Sequence, residues 1–169
     1  KAKFPNIKII SFPEQNIVST AEFTILQILN LSRKLPAVYS AFQKGDYRRH
    51  RFEGMELSCQ NIGIVGLGMV GIEVARTLKS FGCKLLAFDP ASAYKDEFLS
   101  LGGAFTDSLN NLLSSSSIIS LHCNFTKENR DMIGKKEFDV MKKDTVLINT
   151  ARGSLVDNKA LLDAINSGK

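Results

Sequence analysis

The sequence predicts an α/β fold, a doubly wound parallel sheet with helices on both faces, and three observations predict it. Short apolar runs rich in β-branched residues alternate along the chain with stretches of helical period. One such run, Asn61-Ile-Gly-Ile-Val65, leads directly into a glycine loop, Gly66-Leu-Gly-Met-Val-Gly71. A further apolar run, Lys84-Leu-Leu-Ala-Phe88, then ends on an acid, Asp89, which lies 23 residues after Gly66.

With 169 residues, 44% of them apolar, the chain has the size of one ordinary domain and enough apolar content to bury a core. It opens on Lys1 and stops at Ser167-Gly-Lys169, just after an apparent helix, so it reads as a segment of something longer. Cys59, Cys83 and Cys123 show no paired spacing, which argues against a disulfide scaffold and a zinc site and favours a reducing, cytoplasmic setting. No apolar run approaches the roughly 18 residues that span a bilayer, and no leader pattern appears. A soluble protein with no membrane partner is expected. The net charge of +5 is spread along the chain except at Arg48-Arg-His-Arg51. That cluster suits an acidic partner, but a run this short reads better as a solvated basic turn, and no nucleic-acid partner is expected.

Taken in order, a short strand is expected at 8–10. Ser19-Thr-Ala-Glu22 then has the spacing of a capping box, which would start a helix at that point. Phe23, Ile25, Leu26, Ile28, Leu29 and Leu31 cover most of that helix's circumference, predicting burial on several sides until Pro36 kinks or ends it. Gly45 closes the next turn. After the strand at 61–65 and the glycine loop, Val70, Val74, Ala75, Leu78 and Phe81 recur at helical spacing until Gly82 stops the helix. Further elements follow: a strand at 84–88, a helix at 109–113, a strand at 118–121, a helix at 135–141, a strand at 145–149, and a last helix capped by Asp157 with Val156 and Leu161 as a hydrophobic staple.

The strand, loop, helix, strand and acid stand in the order of a Rossmann-type dinucleotide site. Gly66 would permit the tight turn, Gly68 would let the backbone approach a pyrophosphate, and Gly71 would let the helix pack closely on the strand. A glycine-rich turn with no ligand is the plainer alternative, which the surrounding elements outweigh. The pyrophosphate would rest at the helix start, around Met69 and Val70, where unpaired N–H groups and the helix dipole favour negative charge. Asp89 suits the free ribose hydroxyls of NAD and would repel the 2′-phosphate of NADP, although an Asp-Pro turn explains it as well. In an open parallel sheet ligands lie beyond the carboxyl ends of the strands, which points to His122, Cys123 and Asn124 after one strand and to Thr150, Ala151 and Arg152 after the next.

These residues together resemble the NAD-dependent D-isomer-specific 2-hydroxyacid dehydrogenases, phosphoglycerate dehydrogenase among them. The resemblance covers nearly the whole chain. It rests on Ser19-Thr-Ala-Glu22, Gly63-Ile-Val-Gly-Leu-Gly-Met-Val-Gly71, Phe88-Asp-Pro90, Ser120-Leu-His122 and, most specifically, Ile148-Asn-Thr-Ala-Arg-Gly-Ser-Leu-Val-Asp157. It implies that residues 1–12 end a substrate-domain segment and that 13–169 form an NAD-binding Rossmann domain whose sheet is incomplete at the C-terminal side. It also implies that Met69 and Val70 meet the pyrophosphate, that Asp89 meets the ribose, and that Cys123, Thr150 and Ala151 meet the nicotinamide side through backbone groups.

By the same resemblance Arg152 would grip the carboxylate of a small 2-hydroxy or 2-oxo acid, where an arginine without the motif would read as a surface ion pair. His122 would line the nicotinamide pocket or be a satisfied structural histidine, because the family's acid/base histidine and glutamate follow the arginine motif. The piece alone would bind NAD weakly and catalyse nothing. Homodimers are implied too, and the apolar helix at 19–35 agrees, though burial within one subunit explains it equally. A regulatory, NADH-sensing corepressor module is the alternative of a different class. Asn124, where the family commonly has proline, is a departure that bears on the loop beside the nicotinamide.

Overall fold

A computed structural model of the chain describes Phe12 and residues 14–169. The strand expected at 8–10 lies outside them, as does most of the 1–12 segment. Five parallel strands form one sheet: β1 (Asn61–Val65), β2 (Lys84–Phe88), β3 (Ala104–Phe105), β4 (Ile118–Leu121) and β5 (Val146–Asn149). Their spatial order is β3-β2-β1-β4-β5, so the chain builds outward from β1 in one direction and then returns to build in the other. The reversal lies between β1 and β4, whose last residues Val65 and Leu121 stand in register. Such a reversal opens a crevice at the carboxyl ends of the strands.

Alternation along the strands explains the two layers of helices. Ile62, Ile64, Leu85, Ala87, Ile118 and Ile148 share one apolar cluster with residues of α1 (Ile17–Ser32) and α3 (Met69–Lys79). Val65, Ile119 and Leu121, with Leu86, Phe88 and Leu147, share the other with α5 (Leu109–Ser115), α6 (Lys135–Val140) and α7 (Asn158–Asn166). Adjacent strand residues face opposite ways, so a strand buried on both sides must be apolar at nearly every position. Two further helices, α2 (Leu35–Gln43) and α4 (Lys95–Ser100), complete the set.

Several expected boundaries hold. The strands at 61–65, 84–88 and 118–121 form as read, Gly45 and Gly82 take positive φ just past α2 and α3, and Asp157 Oδ1 accepts from the N–H groups of Lys159 and Ala160. The helix read at 109–113 runs on to Ser115, whereas α6 stops at Val140 and β5 starts at Val146.

The start of α1 is a correction. The helix begins at Ile17, ahead of the expected capping box, and Ser19 sits inside the first turn with its hydroxyl donating to Asn16 O at 3.2 Å. Burial of this helix is also narrower than expected. Ala21, Thr24, Ile25, Ile28 and Ser32 are buried, while Phe23, Leu26 and Leu31 are exposed. One apolar stripe, with half-buried Leu29 packed beside it, faces α3 and the sheet, and Val18, Phe23, Leu26 and Leu31 face outward. Pro36 does not terminate α1, which has already ended at Ser32; it occupies the first turn of α2, where its missing N–H costs nothing. Phe81, placed on the apolar face of α3 from its spacing, lies past the helix end and is exposed.

The basic cluster forms a short 3₁₀ turn, Arg49–Phe52. Arg48 and Arg51 both reach Asp46, at 2.8 and 2.7 Å, and the bonds from Arg48 hold the Asp46 carboxyl well below the usual carboxylate range. Two of the positive charges are therefore spent on bracing the turn that follows α2.

Candidate functional site

Val65 delivers the chain into the glycine loop at the point where the sheet order reverses. Gly66 takes φ +90° there, and a Cβ on it would stand 2.6 Å from Cys123 N and 2.8 Å from the His122 carbonyl carbon. Both the left-handed backbone and the neighbouring chain require glycine. Gly71 sits against the carbonyl oxygen of Gly66, so its role is to let the first turn of α3 close onto the loop itself, and not simply to bring the helix near the strand. Gly68 differs from both, because a Cβ there would meet no protein atom within 4 Å.

The loop is held from the side of β2. Leu67, fully buried, donates its N–H to Asp89 Oδ2 at 2.8 Å and accepts at its carbonyl from Ser92 Oγ at 2.6 Å. Asp89 Oδ1 accepts from Ala91 N at 2.9 Å, the Asx turn expected of an Asp-Pro pair. Each carboxylate oxygen thus takes one backbone hydrogen bond and keeps capacity for another acceptor contact.

Beyond the carboxyl ends of β1, β4 and β5 lies a cavity of about 390 Å³. Gly68, Met69, Val70, His122, Cys123, Thr150, Ala151 and Arg152 line it, which brings together residues read from three separate parts of the sequence. Gly66, Gly71 and Asp89 do not line it; they shape the loop beside it. Asn124 also lines it, as do Asn16, Ile17 and Thr20 from the start of α1, none of which was singled out for the site from the sequence except Asn124. Helix α3 points its N-terminus at this space, and no side chain caps it. The first N–H groups of a helix lack partners within it, so an uncapped start facing a cavity suits an anion.

His122 follows β4 with its N–H on Val65 O at 2.7 Å, and its Nε2 lies 2.8 Å from the Oγ of buried Ser120. Burial lowers its pKa from 6.5 to about 4, so the ring is neutral at physiological pH. Cys123 directs its thiol to Val65 O at 3.4 Å; burial pushes that thiol up, and the Asp89 carboxylate adds to the shift. The loop after Cys123 is braced by Asn129, whose Nδ2 donates to Asn124 O at 2.7 Å and whose Oδ1 accepts from Thr126 N at 2.8 Å. That brace shapes the segment without a proline at Asn124.

The arginine loop has its own brace, which sequence reading missed. Asn149 Oδ1 accepts from Ala151 N at 3.1 Å and Asn149 Nδ2 donates to Arg152 O at 2.9 Å. An asparagine ending a strand just before a turn is the available signal for such an Asx turn. Arg152 itself is exposed, and one Nη1 hydrogen goes to Ala151 O at 2.8 Å. Most of its five donors remain for a ligand.

Residues 25–169 match the family model described as D-isomer specific 2-hydroxyacid dehydrogenase, NAD binding domain. A D-3-phosphoglycerate dehydrogenase of Archaeoglobus fulgidus is 38% identical over 163 residues, which is 96% of this chain and 31% of that protein. The apo-structure of D-lactate dehydrogenase from Escherichia coli superposes with a TM-score of 0.89 at 32% identity, over 99% of this chain and 52% of that one. A D-lactate dehydrogenase from Aquifex aeolicus complexed with NAD and lactic acid gives a TM-score of 0.89 at 34% identity, over 94% of this chain and 47% of that one. The chain therefore spans from about a third to about a half of the length of these relatives.

The buried imidazole yields a pH prediction. His122 titrates at about 4 in the folded protein against 6.5 when unperturbed, so between those values the unfolded chain holds a proton that the native state lacks. Its contribution to stability is complete above about pH 6.5 and falls with pH toward 4, by up to about 1.4 kcal/mol per pH unit. His122→Asn removes this slope. Unfolding free energies of the two proteins that run parallel from pH 7 to 4 would show that the ring is not held neutral.

Proposed function

Because the chain belongs to the D-isomer-specific 2-hydroxyacid dehydrogenase family through its NAD-binding domain, we propose that the cavity takes NAD and that the complete protein transfers hydride between the nicotinamide and C2 of a small D-2-hydroxy or 2-oxo acid. The observation that supports this most is the loop at Gly68, where no protein atom occupies the position of a Cβ although the loop passes directly into the uncapped helix α3. Space for a side chain that the sequence leaves empty, at a helix start lined by Met69 and Val70, fits a pyrophosphate resting on backbone N–H groups. Bound there, the nicotinamide end would supply or accept the hydride.

The chain's own residues have distinct parts in this reading. Asp89, fixed by Leu67 N and Ala91 N, keeps acceptor capacity for ribose hydroxyls at the end of β2. Neutral His122, with Cys123 and Asn124, closes the wall beside β4. Thr150 and Ala151 present the β5 loop, and Arg152 offers a planar fork to the substrate carboxylate that orients C2. We assign proton transfer to neither histidine: His122 is held neutral by burial, and His50 belongs to the exposed 3₁₀ turn after α2. The relatives named above are dehydrogenases, and no feature of the site favours the regulatory alternative.

No helix among the described residues is long and apolar enough to cross a membrane. We propose a cytoplasmic location, which three free cysteines support. We also propose a homodimer. Helices α1 and α2, which pack on each other, leave Phe23, Leu26, Leu31, Leu35, Tyr39 and Phe42 exposed, and large apolar side chains concentrated on two neighbouring helices support an interface there.

Three measurements check these statements. Arg152→Lys in the complete enzyme keeps the charge but loses the fork, so kcat/KM for a 2-oxo acid is expected to fall roughly 10- to 100-fold, the worth of a charge-assisted hydrogen bond; near-normal kinetics would exclude a two-bond grip. NADH should bind more tightly than NADPH in fluorescence titrations, and equal affinities would remove the selecting role from Asp89. Sedimentation equilibrium should report a dimer, whereas a monomer at all concentrations would leave the apolar α1–α2 surface to some other use.

A further inference from the structure

Thr24 is a wholly buried hydroxyl in the middle of α1. Two contacts satisfy it: its Oγ1 donates to Thr20 O at 2.9 Å, and it lies 2.7 Å from Thr150 Oγ1, 126 residues away in sequence. A hydroxyl carries one hydrogen, and a carbonyl oxygen can only accept. Both contacts are hydrogen bonds in one arrangement alone, in which Thr24 donates to Thr20 O and Thr150 donates to Thr24. The hydrogen of Thr150 is then committed to the protein, and its hydroxyl can only accept from anything else.

Thr150 stands in the cavity wall between β5 and Arg152, and Thr20, at the far end of the relay, stands in the same wall from α1. The β5 loop is therefore pinned at both ends: Asn149 holds its Ala151 and Arg152 side, and Thr24 holds its Thr150 side. Nothing in the apolar stripe of α1 calls for a hydroxyl at position 24, because the neighbouring buried positions Ala21, Ile25 and Ile28 pack without one. What the hydroxyl adds is the tie to Thr150.

We propose that Thr24 is a positioning residue of the dinucleotide site, acting through Thr150 to hold the β5 loop against α1 and to make the Thr150 hydroxyl an acceptor for a donor group of the ligand. This rests on the reading that the cavity takes NAD.

The full-length protein tests it by NADH fluorescence titration together with melting temperature. Thr24→Val is nearly isosteric and lacks the hydroxyl; it is expected to weaken NADH about tenfold, the worth of one net hydrogen bond. Thr24→Ser keeps the hydroxyl and should stay within twofold of the unmodified protein. The double variant Thr24→Val/Thr150→Val should bind no more weakly than Thr150→Val alone, because the first residue acts through the second. If Thr24→Val does not fold, Thr24→Ala, which cannot overpack, takes its place.

A loss of threefold or less in the hydroxyl-free variants overturns the proposal, and so does a double variant whose losses multiply. An unmodified protein that binds no NADH overturns instead the reading on which it rests.

Discussion

The site depends on one close passage, where the backbone of Gly66 leaves β1 beneath the chain that leaves β4. At φ +90°, with Cys123 N only 2.6 Å from where a Cβ would be, the turn has room for glycine alone. That turn sends the chain into α3 within three residues, which brings an uncapped helix start to the point where the sheet order reverses. His122 N bonding to Val65 O joins the two strand ends at the same place. A crevice for an anion is the geometric result.

Around that passage, three loops with little regular structure are held by side chains that bond to backbone and, at Thr150, by one hydroxyl bonded to another. Asp89 and Ser92 grip the two sides of Leu67, Asn129 spans the segment after Cys123, and Asn149 with Thr24 pins the loop carrying Arg152. Backbone polar groups in such loops need partners; Asn149 supplies them from two or three positions away, while Asp89 and Ser92 reach Leu67 from across the sheet. The result is a cavity whose walls come from α1, α3 and three strand ends.

Much of this was legible in the sequence, and for particular reasons. Strands buried on both faces read as continuous apolar runs, so 61–65, 84–88 and 118–121 were placed to the residue. The glycine loop and the arginine motif pointed to the same strand ends that the cavity joins. Helix α1 is less legible. Its capping box satisfied the local spacing, yet the helix starts earlier, at Ile17, and its outward apolar residues obscured which stripe is buried. Periodicity alone cannot separate a face that meets its own core from one that meets water or a second subunit.

The sequence by itself determined the alternation of elements, the glycine turn and the residue types at the strand ends, because these follow from local sterics and from the two periods of strand and helix. Tertiary structure decided which of those residues line one cavity and which shape the loop beside it. Asp89 became a partner of the glycine loop, Gly71 a contact of Gly66, and Thr24, indistinguishable in sequence from a core filler, a partner of Thr150. Hydrogen bonds between residues more than a hundred positions apart have no signature in local pattern. They exist only after the sheet has brought α1 beside β5.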